Sequence, residues 1–181
     1  MAVDRVEKLL RQVTQALDGA GVSYAVAGGN ALAAWVASVD EGAVRATKDV
    51  DVLVRRPDLP LVTDALRPLG LMPVEVHGVM MFVDRRRPNP KTGVHILFAD
   101  ELVRPHDAHP PPDPACAVRA ATGFWIVDLP GLVAMKLQAF RNIDKAHLED
   151  LISIGLIDAE LIGKLPPDLR SRLKQIQDTQ E

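Results

Sequence analysis

The chain has 181 residues, which at roughly 150 residues per domain makes one domain and excludes two large ones. Hydrophobic residues are 48% of it and charged residues 25%, enough apolar content for a packed core and far from a disordered composition. With 21 Lys and Arg against 24 Asp and Glu the net charge is −3, so no global field draws the chain to nucleic acid or anionic membrane, and any such contact must be local. The lone cysteine, Cys116, cannot close an internal disulfide, and no Cys-x-x-Cys pair offers a thiolate zinc site. Asp4, Arg5, Glu7, Lys8 and Arg11 break up any signal-peptide core, and no run of ~18 apolar residues predicts a membrane span. A soluble, cytoplasmic protein without a membrane partner is expected.

Val3, Val6, Leu9, Leu10, Val13 and Leu17 recur every three or four residues and predict a helix that Gly19 and Gly21 end. Tyr24 to Ala27 reads as a short buried strand running into Gly28-Gly29-Asn30, after which Ala31 to Val39 is rich in helix formers. Residues 40–46 read as a loop. From 48 to 54, Val50, Val52 and Val54 alternate with Asp49, Asp51 and Leu53, a strand period that presents both aspartates on one face. Pro57 to Leu69 predicts a helix stopped by Gly70, and strands follow over 71–76, 79–84 and 94–98. The last two are joined by a turn rich in Pro, Asn and Gly that also carries Arg85, Arg86 and Arg87. Pro105, Pro110, Pro111, Pro112 and Pro114 forbid a continuous helix or central strand over 99–122, which is either a functional cover or hides a short element. Phe124 to Leu129 reads as a strand, Pro130 to Phe140 and Asp144 to Ile154 as helices, and the tail from Asp158 as helical throughout. The fold class expected is α+β, a mixed sheet flanked by helices, with residues 1–129 as the α/β part and 130–181 as a helical segment packed on it in one compact unit.

Asp49 and Asp51 on one strand face stand ~7 Å apart by strand rise, and a divalent cation between them would relieve their repulsion. Alone, an Asp-x-Asp is better explained by a polar strand face open to water. Its context adds to it: Gly28 and Gly29 sit where a strand turns into a helix, so unhindered N–H groups and the positive helix end can receive a phosphate while the aspartates hold Mg²⁺. Lys136 lies in an apolar helical run and by itself reads as a lysine snorkelling at the edge of the core.

These residues together resemble the DNA polymerase beta-like nucleotidyltransferase superfamily, whose signature is an apolar strand, Gly-Gly or Gly-Ser, a short helix, and Asp-x-Asp on the next strand. Here it is Tyr24-Ala25-Val26-Ala27-Gly28-Gly29-Asn30-Ala31-Leu32, then Arg45-Ala46-Thr47-Lys48-Asp49-Val50-Asp51-Val52-Leu53-Val54. The Arg-x-Thr-x-Asp-x-Asp form is similar to small bacterial members related to AbiEii-type toxins, and Val133-Ala134-Met135-Lys136-Leu137-Gln138-Ala139, Arg141 and Glu149-Asp150-Leu151 look like the helical segment that follows. The resemblance spans about residues 20–155. It implies a nucleotidyltransferase-like fold and transfer of a nucleoside monophosphate from an NTP to a hydroxyl of an RNA such as tRNA, a protein or a small molecule. Asp49 and Asp51 would hold Mg²⁺ or Mn²⁺, Gly28, Gly29 and Asn30 would seat the phosphates, and Lys136 would reach them.

Where the family usually carries a third carboxylate this chain has Val94-His95-Ile96-Leu97-Phe98, and where it has Lys-Asp before Asp-Leu this chain has Ala146-His147. His95 is either a third ligand or base, or the mark of a silent nucleotidyltransferase-fold module that binds a protein partner such as an antitoxin. A strand over 94–98 paired beside 48–54 would set the imidazole next to the aspartates and raise its pKa. Arg85, Arg86 and Arg87 have the charge to clamp a triphosphate or an RNA backbone, but three arginines in a hairpin turn read as solvated surface and are left out of the site. His106-Asp107-Ala108-His109 lacks the fixed spacing of a zinc motif and reads as surface loop. Gly21-Val22-Ser23-Tyr24-Ala25 ends in alanine and precedes its strand, unlike a hydrolase elbow, and no Walker A or Gly-x-Gly-x-x-Gly loop is present.

Overall fold

A computed structural model describes residues 2–178, with side chains from Asp4 onward, so the Val3 side chain of the first apolar stripe and the last three residues of the tail lie outside it. Helix α1 (Ala2–Gly19) buries Leu10, Val13 and Leu17 and is followed by a turn at Gly21, φ +68°. Strand β1 (Tyr24–Val26), helix α2 (Gly28–Ala37) and strand β2 (Val50–Val54) come next, then α3 (Leu59–Leu66), β3 (Leu71–Val76), β4 (Val79–Asp84) and β5 (Val94–Phe98). Two short strands, β6 (Val118–Arg119) and β7 (Trp125–Ile126), precede four helices: α4 (Leu129–Ala139), α5 (Asn142–Ser153), α6 (Ala159–Lys164) and α7 (Pro167–Asp178). Among the described residues no helix is long and apolar enough to cross a membrane.

The seven strands form one mixed sheet in the order β3-β4-β5-β2-β1-β7-β6, flanked by helices, which is the α+β class expected. β2 runs parallel to β5 and β1 parallel to β7, while the other neighbours are antiparallel. Val50, Val52 and Val54 of β2 and Val94, Ile96 and Phe98 of β5 share a buried face and join one core with Val13 and Leu17 of α1 and Val62 and Leu66 of α3. The other face carries Asp51 and Leu53 beside His95 and Leu97, because Asp51 and His95 are partners in the parallel register.

Several boundaries differ from the pattern in the sequence, each for a local reason. The helix expected from Ala31 to Val39 begins at Gly28 and stops at Ala37, so the two glycines are its first turn. β2 starts at Val50 and Asp49 precedes it, because the Asn30 side chain takes the Asp49 carbonyl at 2.7 Å and withholds it from the ladder. The Pro57–Leu69 helix is α-helical only over α3, with tight 3-10 turns at Arg56–Asp58 and Arg67–Leu69. The Pro-rich stretch hides a 3-10 turn, Pro114–Cys116, and β6, and is pinned by Arg55–Asp113 and Arg56–Glu101 ion pairs of 2.6 and 2.5 Å. The strand expected over 124–129 is only β7, since helix α4 already begins at Leu129. The tail is broken rather than continuous: Leu165 is extended (ψ 147°), as a residue before proline must be, and α6 and α7 lie either side.

One contact positions everything at the upper end of β1 and β2. Ala27 N–H donates to the Asp51 carbonyl at 2.9 Å, the chain turns at Gly28 with φ +61°, and a Cβ there would collide with Asp51 Oδ2. At Gly29 a Cβ would come within 2.5 Å of Thr47 Oγ1. Gly28→Ala is therefore expected to lose about 1–2 kcal/mol through its left-handed backbone alone, with the collision in addition. Chemical denaturation checks this: adding Asp51→Ala should recover the collision and leave the backbone loss, and full recovery would contradict the left-handed geometry.

Candidate active site

A cleft of about 700 Å³ opens over the Asp51 and His95 face of the sheet. Its walls are the first turn of α2, the segment from Arg45 to Asp51, the Pro110–Pro112 stretch, and the facing sides of α4 and α5. Gly28, Gly29, Asp49, Asp51, His95 and Lys136 all line it. Asn30 does not: it is buried, and its side-chain amide donates to the Asp49 carbonyl, so it holds the loop that presents Asp49.

The N-terminus of α2 is capped by Ala27, which has no side-chain hydrogen bond to offer. The first-turn N–H groups are left for water or a ligand, with the positive end of the helix behind them. Asp51 and Asp49 stand beside that end. Asp49 is exposed, and among the described residues its carboxylate makes no hydrogen bond or ion pair. The His95 Nδ1 lies 3.1 Å from Asp51 Oδ1, and the ring also meets the Pro90 backbone carbonyl. The hydrogen bond to Asp51 first, then the charges of Asp51 and Asp49, raise the His95 pKa against the opposing effect of burial.

Across the cleft lies a network that no periodicity announced. Arg141 donates through Nε to Asp144 Oδ2 at 2.7 Å and through its backbone N–H at 3.2 Å. Lys136 is only 5% exposed; its Nζ donates to His147 Nδ1 at 2.9 Å and lies 3.6 Å from Asp144 Oδ1. Lys136 is thus not a snorkelling side chain but a buried one with partners. Burial lowers its pKa, and Asp144 opposes that shift. Burial alone would raise the Asp144 carboxyl, but the hydrogen bonds and charge of Arg141 outweigh it and hold the group below the usual carboxylate range. Burial, with the Lys136 ammonium adding to it, pushes the His147 imidazole down to about 4, so the ring is neutral at pH 7 and accepts from Lys136.

Arg141, Asp144, His147 and Thr47 are cleft residues that the sequence pattern did not single out for the site. Arg45, Thr47 and Arg141 stood in the motifs quoted above and His147 in the departure from them, none with a role assigned, and the usable signal for the arginines was their charge. Arg45 closes a bidentate pair with Asp150 at 2.6 and 2.9 Å, tying the loop before β2 to α5. From the Pro-rich loop, Asp107 and His109 also reach the cleft; Asp107 caps the Arg104 N–H at 2.9 Å, and His109 Nε2 lies 3.0 Å from Asp168 on α7. Among the described residues no three His, Cys, Asp or Glu side chains gather as a ready metal cluster.

Because His147 is held neutral below its ordinary pKa of about 6.5, the folded state takes up fewer protons than the unfolded chain as pH falls. Its contribution to stability is complete above pH ~6.5 and is lost as pH drops toward 4. Urea midpoints at neutral and acid pH test this: His147→Gln should lose less stability on acidification than the wild type.

No protein-family model matches the chain, and no curated protein matches it in sequence. Solved structures do match its fold. An antigenic nucleotidyltransferase-like protein from Paracoccidioides brasiliensis aligns with a TM-score of 0.59 at 14% identity, over 99% of this chain and 90% of that one. The antibiotic-resistance factor ANT(2'')-Ia in complex with adenylyl-2''-tobramycin aligns at 0.54 and 13% identity, over 96% and 98% of the two chains. The solution structure of ANT(2'')-Ia aligns at 0.51 and 12%, over 100% and 86%. At such identities it is the fold that is shared, and this chain has the fold of the nucleotidyltransferases.

Proposed function

We propose that this protein is a nucleotidyltransferase that moves a nucleoside monophosphate from an NTP to a hydroxyl and releases pyrophosphate. The observation that carries the reading is the contact of the uncapped glycine turn of α2 with the Asp51 carboxylate, on the wall of the cleft that Asp49 also lines. An anion cradle and a pair of cation-holding carboxylates then share one edge, which is what a nucleoside triphosphate with its divalent ion requires. The fold shared with ANT(2'')-Ia, seen with an adenylylated aminoglycoside, supports the same chemistry.

The donor set fits Mg²⁺ or Mn²⁺. Such ions take one or two carboxylates and complete their shell with phosphate oxygens and water, and Asp49 and Asp51 supply the two carboxylates. When bound, the ion would neutralise charge that develops on the phosphates. The N–H groups of Gly28 and Gly29 receive phosphate oxygens, and Arg141 and Lys136 face them across the cleft. The acceptor oxygen bonds to the α-phosphorus as the bond to the β-phosphate oxygen breaks. His95, which lines the cleft beside Asp51, takes the hydroxyl proton, as a neutral imidazole can.

The test is incubation with each labelled NTP, a divalent ion and candidate acceptors: an RNA such as tRNA, a protein, and small hydroxyl compounds. Asp51→Asn should abolish transfer, and equal labelling by variant and wild type would end this role. His95→Asn should lower the rate by about 10²–10⁴. Because the base must be neutral, the rate should climb with pH as the His95 ring loses its proton, and a flat profile would take the proton away from His95.

One observation favours a second reading. The His95 ring engages the Asp51 oxygen that a metal would need, as it would in a silent module that serves to bind a protein partner such as an antitoxin. Melting temperature separates the two: a competent site is stabilised by NTP with Mg²⁺ in a saturable way, and a silent one gives no response.

A further inference from the structure

The turn between β4 and β5 carries Arg85, Arg86, Arg87 and Lys91, and within residues 84–93 Asp84 is the one acid against them. All four basic side chains are exposed. The backbone beneath them is fixed: Arg85 N–H donates to the Gly70 carbonyl at 2.8 Å, and Arg86 and Arg87 N–H donate to Asp84 Oδ1 at 2.7 and 3.1 Å. Asp84 thus engages the main chain and, among the described residues, leaves the guanidinium groups without a hydrogen bond or ion pair of their own. Five other arginines are held by acids: Arg45 by Asp150, Arg55 by Asp113, Arg56 by Glu101, Arg67 by Asp64 and Arg141 by Asp144. Arg5 of α1 adds a further cation by donating to Thr92 Oγ1 at 3.4 Å.

The place of this turn matters as much as its charge. It enters β5 at Val94, one residue before His95, and Pro90 within it touches the His95 ring. Because β5 runs parallel to β2 with His95 opposite Asp51, the turn lies at the sheet end where Gly28, Asp49 and Asp51 open into the cleft. The turn does not line the cleft but stands at the sheet end on which the cleft opens. Exposed Lys48, next to Asp49, stands at the same edge.

We propose that this turn is the docking site for the phosphodiester backbone of a nucleic-acid strand whose terminal hydroxyl enters the cleft as the acceptor. Planar guanidinium forks match phosphate oxygens, and several of them in a row on a rigid turn give a track for successive phosphates. The docking stands on the charge and position of the turn alone; only the role of the strand as acceptor rests on the transfer reading above.

Fluorescence anisotropy with a short single-stranded RNA, a DNA of the same sequence and a poly-glutamate peptide of equal charge tests it across a salt titration. Wild type should bind RNA or DNA more tightly than the peptide, and the arm bound more tightly names the strand. The triple variant Arg85→Ala, Arg86→Ala, Arg87→Ala should lower the salt slope by about 2, at ~0.7 for each phosphate no longer neutralised, and weaken binding roughly 50-fold at ~0.15 M salt. Arg85→Lys, Arg86→Lys, Arg87→Lys keeps the charge and should retain most of the affinity, so a folding defect cannot imitate the result. An unchanged affinity and slope in the alanine variant, or equal binding of poly-glutamate, overturns the docking site. Arginine-dependent strand binding with no transfer from any NTP defeats the transfer reading and leaves the docking site standing. Transfer to small hydroxyl compounds without strand binding does the reverse.

Discussion

The Asp51 carboxylate packs against the Cα of Gly28 on one side and the His95 ring on the other, and the rest of the cleft is arranged around that contact. A carboxylate so close to a helix N-terminus meets the positive end of the helix, worth a few tenths to about 1 kcal/mol at an exposed site and more where partly buried. That attraction, together with the charge of Arg141 that both acids feel across the cavity, lets Asp49 and Asp51 face one space. It also explains why both residues at the turn are glycine. Gly28 must accept a left-handed backbone and the carboxylate at once, and Gly29 must admit Thr47. The parallel pairing of β2 with β5 then brings His95 opposite Asp51 without any further requirement on the loop between them.

The opposite wall obeys a different rule. Lys136 and Asp144 are both nearly inaccessible, and a charge removed from water is tolerable only with partners. Asp144 receives two cations, Lys136 and Arg141, and a third positive group beside them would be costly; His147 avoids this by staying neutral and accepting a hydrogen bond. The corner that makes the cluster possible is Phe140, which ends α4 in the left-handed region at φ +49°. Its ring lies 4.4 Å from Lys145 Nζ, while Arg172 of α7 donates to the Leu137 and Gln138 carbonyls at the end of the helix. Packing of α7 thereby holds the α4–α5 corner that holds Lys136 and Arg141.

Strands β3, β4 and β5 were legible to the residue, since each starts directly after a glycine, Gly70, Gly78 or Gly93, and the left-handed Gly70 before β3 was marked by residue type. That Gly28, Gly29, Asp49 and Asp51 would stand together was legible because each pair is set by short spacing along the chain and all four line one cleft. What could not be read was set by contacts between distant segments. β6 and β7 are two residues long and exist only because each pairs with a neighbour, so no local pattern announces them. Asn30 stood among the phosphate-seating residues by its place after the glycines, but a side chain at the third helical position points back toward the loop before β2, and the Asp49 carbonyl takes it. Lys136, Asp144 and His147 sit on two helices whose meeting angle is invisible in the hydrophobic pattern.

Charge is the property for which the composition was least informative. A net charge of −3 describes a chain whose arginines are, in several places, locked to a particular carboxylate: Arg55 and Arg56 bind the Pro-rich segment, and Arg45 binds α5. Pairs of this kind cancel both in the sum and in the field, so they contribute to the fold and little to the surface potential. The turn over residues 84–93, with Arg85, Arg86, Arg87 and Lys91 against the single acid Asp84, cancels neither in its own sum nor in the field. The potential near residues 85–91 is then set over a Debye length of about 8 Å at physiological salt, a distance within which the far-side carboxylates of the chain have no influence. Two chains of equal net charge therefore differ in what approaches them according to how many of their arginines are already held, and only the three-dimensional pairing of the charges distinguishes them.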